Sequence, residues 1–515
     1  MWYRKLALPF LLFASTVAAY LPTLGNGFTN WDDPRYVTGN PFAARGLAGI
    51  PAAFTTSWDG VWYPLTHAVI CVIQTVAGPA PFAHHLVQIL LAALAVACLP
   101  GALATFGMRR THGAAAALLW ALHPMRVEPF AWASSLKDVL ALLGTVLALA
   151  AWGRGRKRIA AACFVAALLA KSTVFPLAML FVWFEAARPS DLPRAIRRTV
   201  AFWGPAIACA LVSMRSHLEP PPEGRVLPGG SLLERVPTAI YLPWWYVGRA
   251  LSVAHPQAVY EVAAVGWLDV RLLMAVALWC VALLCAWRLP LGDARTRWGA
   301  LLAFALPFAP VTGLVPLAFP VADRFASLPS IALAAVLVAM GAACCARLRA
   351  ATRVAAGAGA VAVAAAFCLP VTVGRQQAWR DGIALWEADR LRAPGVGAVR
   401  INLAAAYGEA GRWSDAIGEL QAMHRLGISY EHRARDLFFA LAARDGMEPG
   451  LVRRLSALIA ADGGSRESVR FAQEISRRAG HPAVADQLEA LLLRGAALSA
   501  SGVPTTNRRV PSETP

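Results

Sequence analysis

Residues 82–105 read FAHHLVQILLAALAVACLPGALAT, with no Asp, Glu, Lys or Arg among them. A helix rises about 1.5 Å per residue, so roughly 20 apolar residues cross the hydrocarbon core of a bilayer. The stretch therefore predicts a membrane-spanning helix. Moving outward in both directions, similar apolar stretches recur at approximately 6–24, 113–123, 137–152, 159–170, 173–187, 199–213, 269–288, 299–313, 328–346 and 354–373, eleven in all. Some of these cores are short, and neighbouring loop residues or burial within protein must complete them. The whole chain of 515 residues is 58% apolar, only 15% charged, and has a mean hydropathy of +0.52. Soluble domains carry about a quarter charged residues, so a cytosolic enzyme and a secreted disulfide scaffold are both excluded.

The formal charge of +18 falls in short Arg clusters between apolar runs and not along one stripe. That arrangement is a topology signal and gives no surface for nucleic acid. Alternate loops hold Arg4/Lys5, Arg109/Arg110, Arg154/Arg156/Lys157/Arg158, Arg188/Arg194/Arg197/Arg198, Arg288/Arg295/Arg297 and Arg347/Arg349/Arg353. Basic short loops stay cytoplasmic, which places the N-terminus inside and, with an odd number of spans, the C-terminus outside. Arg4-Lys5, the apolar residues after them and Val17-Ala18-Ala19 also fit a signal peptide, but Pro22 and the apolar residues around it favour an uncleaved span. Only four of the 48 basic residues are Lys, and the Ala, Arg and Gly usage suggests a GC-rich bacterial genome. All nine Cys precede residue 374 without metal-ligand or disulfide spacing and read as small core hydrophobes.

Four segments then face outward: 25–80, 123–137, 214–268 and 314–327. In the third, Tyr241, Trp244, Trp245 and Tyr246 suit a helix lying in the membrane interface or a plain aromatic belt. After residue 374 the pattern becomes charged and helical without spans. Residues 374–498 read as a separate extracytoplasmic helical domain, and 499–515 as a disordered tail. Trp386 and Leu420 stand 34 positions apart, with Leu403, Ala404, Tyr407, Gly411 and Ala416 at the spacing of a tetratricopeptide helix pair. An ordinary helical cap is the competing reading. The predicted fold class is an all-α polytopic membrane protein with a C-terminal tetratricopeptide-like domain.

The first outer segment carries Asn30-Trp31-Asp32-Asp33-Pro34-Arg35-Tyr36. Paired carboxylates just outside a span supply a general base and a group that orients it, or hold a divalent metal; before Pro they also serve as a simple turn or helix cap. The second segment concentrates His123, Arg126, Glu128, Lys137 and Asp138. Lys171 stands at the outer end of the fifth stretch, and Asp323-Arg324 precedes the tenth. Ionisable groups at membrane depth are functional candidates by default, although snorkelling anchors explain single lysines as well. Together the cations predict a basic pocket facing the two Asp, which suits a lipid-phosphate substrate.

The chain resembles the GT-C superfamily of polyprenyl-phosphate-sugar-dependent glycosyltransferases, and most of all bacterial relatives of the tetratricopeptide-containing protein O-mannosyltransferases. The resemblance is carried by Trp31-Asp32-Asp33-Pro34, Tyr63-Pro64-Leu65-Thr66, His84-His85-Leu86, His123-Pro124 with Val127-Glu128 and Ala131-Trp132, Lys137-Asp138-Val139-Leu140, Ala170-Lys171 and Ala322-Asp323-Arg324-Phe325. It implies a GT-C-like transmembrane domain over 1–373 and inverting transfer of a sugar from a lipid phosphate to a hydroxyl outside the cytoplasm. The lipid-linked sugar is then a substrate and no cofactor is required with certainty, while a divalent metal stays open. By that likeness Asp32 is the base and Asp33 orients it or contacts the metal. Lys137, Lys171 and Arg324 hold the donor phosphate, and His123, Arg126, Glu128, Asp138 and Asp323 line the substrate. The repeat domain implies a protein Ser or Thr acceptor, and the location implied is a bacterial inner membrane. Ser135-Leu136 and Ser327 depart from the usual pattern. A transporter would also be polytopic, but no internal hydropathy repeat marks one; a scaffold anchored by eleven spans leaves the outer carboxylates unexplained.

Overall fold

The computed structural model describes residues 2–218, 231–253, 256–288, 293–314, 321–426 and 486. Among these the secondary structure is helical throughout, and the only β feature is an isolated bridge between Trp58 and Val61. The chain divides into two compact units, Met1–Leu385 and Trp386–Pro515.

The first unit contains α1 (Trp2–Tyr20), α2 (Pro64–Ala77), α3 (Pro81–Leu103), α4 (Arg110–Leu122), α5 (Leu136–Trp152), α6 (Lys157–Ala170), α7 (Ala178–Glu185), α8 (Val200–Leu218), α9 (Leu232–Leu251), α10 (Val270–Arg288), α11 (Ala294–Ala305), α12 (Pro329–Cys344) and α13 (Ala350–Ala378). Several start with Pro at the first helical position, where the missing N–H costs nothing: Pro64, Pro81 and Pro329. The α3, α5 and α6 helices are mostly small and apolar and pack into the centre. At Gly144 an added Cβ would lie 2.8 Å from the Cys163 carbonyl oxygen and 2.9 Å from Ala167, so only Gly lets α5 and α6 approach this closely. The outer helices do the opposite, exposing Leu273, Met274, Leu283 and Leu284 on α10 and Val363 and Phe367 on α13. Apolar surface on that scale suits a hydrocarbon solvent and not water.

By length and composition, six helical segments among the described residues can cross a membrane: Leu6–Gly25, Pro81–Phe106, Ala133–Trp152, Val270–Arg288, Pro329–Arg347 and Ala350–Ala378. A seventh is the pair Pro189–Arg198 and Val200–Ser216, bent by 71°. The other four of the eleven expected stretches form shorter helices. Two of these are cut by proline-containing 3-10 turns, Ser172–Leu177 before α7 and Leu306–Val311 after α11. Apolar composition located these two stretches, but the length of their helices is set by the Pro residues within them.

On α9, Ser231 and Glu234 form a reciprocal capping box at the N-terminus. Its aromatic run packs on protein: Trp244 meets Trp279 edge to face, and the buried Tyr246 both donates to the Ala322 carbonyl and accepts from the Ala322 N–H. In the second unit, α14 (Gly397–Glu409) and α15 (Trp413–Arg425) form a hairpin turned at Gly411, whose φ is +71°. Trp386, Leu403, Tyr407, Ala416 and Leu420 are buried in it, and Arg400 donates to Glu419 at 2.6 Å. The expected helices of 430–495 and the tail 499–515 lie outside the described residues.

Candidate active site

The four segments expected to share one face do converge. Asp33 of the first binds Ser134 of the second, Glu128 of the second binds Arg324 of the fourth, and Tyr260 of the third binds Asp323 of the fourth. The first segment is tightly held. Asp59 Oδ2 accepts from Arg35 Nη1 at 2.8 Å and from the Tyr36 hydroxyl at 3.0 Å, and Gln74 Nε2 donates to the Val37 carbonyl at 2.7 Å. Asn40 caps the next turn by accepting the N–H groups of Phe42 and Ala43.

The two adjacent carboxylates differ sharply. Asp33 is buried, and both its oxygens are engaged: Oδ2 by the Thr29 N–H at 2.8 Å and hydroxyl at 2.9 Å, Oδ1 by the Ser134 N–H at 2.9 Å and hydroxyl at 2.5 Å. Burial raises its pKa, and these four bonds oppose the rise. Asp32 is half-buried, and its carboxylate accepts no hydrogen bond among the described residues; its carbonyl accepts the N–H groups of Arg35 and Tyr36. It lies within electrostatic range of Lys137 and Arg324.

The three expected phosphate-binding cations gather around the same place, Lys137 and Lys171 buried and Arg324 half-buried. Lys137 Nζ donates to the Ser134 carbonyl at 2.6 Å and sits over the rings of Tyr36 and Trp132. Lys171 Nζ donates to Asp138 Oδ1 at 2.6 Å. The Arg324 guanidinium pairs with Glu128, and its backbone N–H donates to the other oxygen of that carboxylate at 2.9 Å. Burial alone would lower the Arg324 pKa, but Glu128, Asp138 and Asp32 outweigh it and leave it raised. Asp138, Lys171 and Arg324 line a cleft closed by Val174, Pro307 and Val311.

The buried Arg126 and Asp323 and the half-buried His123 form a second group that shares Glu128 with the first but has no hydrogen bond or ion pair with Asp32, Lys137 or Lys171 among the described residues. His123 is pushed down to about 4 by burial and then by Arg126; its neutral ring accepts the Met125 N–H at Nδ1. Arg126 is brought down to about 10 by burial, opposed by Asp323, Tyr20 and Glu128. The Tyr260 hydroxyl lies 2.8 and 2.9 Å from the two oxygens of Asp323, whose pKa rises from 3.8 to about 7 through burial and then through Glu128. Between about pH 4 and 7 the folded chain keeps this proton while the unfolded chain has lost it, so stability contributed here falls as pH rises and levels off above 7. Asp323→Asn removes that titration. Its stability relative to the parent should therefore rise between pH 4 and 7, as read from unfolding midpoints; a constant difference would reject the raised pKa.

Sequence reading missed the partners that position these groups. Thr29 and Ser134 hold Asp33 through bonds of which the second spans 101 positions. Trp31 stacks on Trp132 at 4.8 Å between ring centroids, and Trp379 lies 5.5 Å from Trp132. Only the sequence neighbourhood of Ser134 and Lys137 hinted at the first; nothing local marked Tyr260 or Trp379. Among the described residues, no three His, Cys, Asp or Glu side chains converge as a metal site. Comparison of the chain with known protein families, curated proteins and solved structures gives no match.

Proposed function

We propose that this chain is a GT-C-type membrane glycosyltransferase that moves a sugar from a polyprenyl phosphate to a hydroxyl, with inversion, on the periplasmic side of a bacterial inner membrane. The observation that carries the reading is the convergence of Asp32 with Lys137, Lys171 and Arg324, from positions nearly 300 residues apart, beside a cleft that Lys171 and Arg324 line. In this mechanism the Asp32 carboxylate removes the acceptor proton as the oxygen attacks the anomeric carbon. The bond from that carbon to the phosphate oxygen breaks, and the lipid phosphate leaves with two negative charges. Fixed cations stabilise that developing charge most where water is excluded. Asp33 positions the loop through Thr29 and Ser134, which leaves its neighbour available for the proton.

The alternation of the Arg clusters supports a periplasmic second unit, where a tetratricopeptide-like array would offer a surface to polypeptide. The tight hairpin of α14 and α15, with Gly408 facing Trp413, supports that likeness. Ser or Thr hydroxyls of a protein are accordingly the acceptor. The test is reconstitution of the purified full-length chain in nanodiscs with undecaprenyl phosphate carrying one hexose and a Ser/Thr-rich peptide. Hexosyl peptide and free undecaprenyl phosphate are the expected products. Transfer from a soluble nucleotide sugar without lipid would reject the reading.

A further inference from the structure

The cleft beside Lys171 and Arg324 contains two buried polar atoms that have no hydrogen-bond partner among the described residues. Asp138 is 8% exposed; Lys171 occupies its Oδ1, and Oδ2 is unused. Ser327 is 5% exposed and its Oγ is unused, although its backbone is fixed, its N–H donating to the Arg324 carbonyl at 3.2 Å and its carbonyl accepting from Trp120 Nε1 at 3.1 Å. Both residues line the cleft, together with Thr173 and Phe325. Buried polar atoms are ordinarily paired, so two left bare in one wall mark where the polar groups of a ligand go.

The chemistry of the two atoms narrows the ligand. A carboxylate oxygen only accepts, and a phosphate dianion offers only acceptors, so Asp138 Oδ2 calls for a hydroxyl and repels phosphate. Lys171 retains N–H groups beyond the one given to Asp138, and Arg324 adds a second cation. The cleft thus fits a hydroxylated ring attached directly to an anion. We infer that it is the sugar-recognition subsite: one ring hydroxyl donates to Asp138 Oδ2 while accepting from Lys171, and a second bonds Ser327 Oγ. Ser327 is the specificity-determining residue, because its hydroxyl supplies the contact. The identity of the ligand as a glycosyl phosphate rests on the glycosyltransferase reading above.

The full-length chain in nanodiscs is titrated with undecaprenyl phosphate, bare or bearing one mannose or one glucose. The parent should bind at least one hexosyl form about tenfold more tightly than the bare lipid, as expected of a site built around substrate hydroxyls. Ser327→Ala should lower that preference by about three- to tenfold, and Ser327→Phe, whose ring fills the cleft, should abolish it. Binding of the bare lipid by Ser327→Ala reports that the fold is kept. Equal affinity of the parent for bare and hexosyl lipids would overturn the subsite while the lipid-phosphate reading stands. A hexose preference that survives in Ser327→Ala would overturn it as well. Failure of the parent to bind any of the three lipids would reject the donor reading, and the subsite with it.

Discussion

Asp32→Asn is expected to lower sugar transfer by about 10² or more, the usual contribution of a general base, with donor binding nearly unchanged. The expectation follows from the contrast between two neighbouring carboxylates. Asp33 accepts four hydrogen bonds and pins its loop to Ser134, so its loss would disturb the fold. The Asp32 carboxylate supports no comparable contact among the described residues, and the structural bonds of this residue run through its carbonyl, which Asn keeps. The exchange therefore removes a proton acceptor without removing an anchor. Turnover and lipid binding of purified Asp32→Asn would be measured side by side. Near-normal turnover would end the assignment; a parallel loss of folding would show that Asp32 too is structural.

Much of this arrangement was legible in the chain, for definable reasons. Apolar runs announce membrane helices because the solvent is apolar, and each of the eleven stretches does fall on helix. Their lengths were less legible, since Pro176, Pro307 and Pro310 break runs that composition alone joins. The charged candidates were visible because ionisable residues are conspicuous between apolar runs. Their grouping was not: Glu128, expected beside the substrate, pairs with Arg324 across 196 positions and also faces Arg126, so one carboxylate links both buried groups. Pairings of that separation leave no periodic trace. The same holds for Tyr260 against Asp323, a bond from a segment whose aromatic run suggested an interfacial helix or an aromatic belt.

Glu128→Gln is expected to destabilise the chain by about 3–5 kcal/mol, the cost of leaving a buried charge without its counterion. Glu128 is 1% exposed, both its oxygens are engaged by Arg324, and it opposes the charge of Arg126. Removing its charge leaves the buried Arg126 and the half-buried Arg324 short of an anion. Replacing the partner as well, in Glu128→Gln/Arg324→Met, should recover part of the loss, because an apolar pair of similar volume often costs little in a buried site. Unfolding of the four proteins in one detergent gives the coupling directly. Additive effects of the two substitutions would mean that the ion pair contributes nothing beyond packing. A second readout is independent of overall stability. Glu128 is a like charge that helps raise the Asp323 pKa, so in Glu128→Gln the Asp323-dependent fall of stability between pH 4 and 7 should begin at the same unfolded-state value but level off at lower pH. Levelling at the parental pH would leave burial as the whole cause of that shift and would remove Glu128 as the link between the two groups.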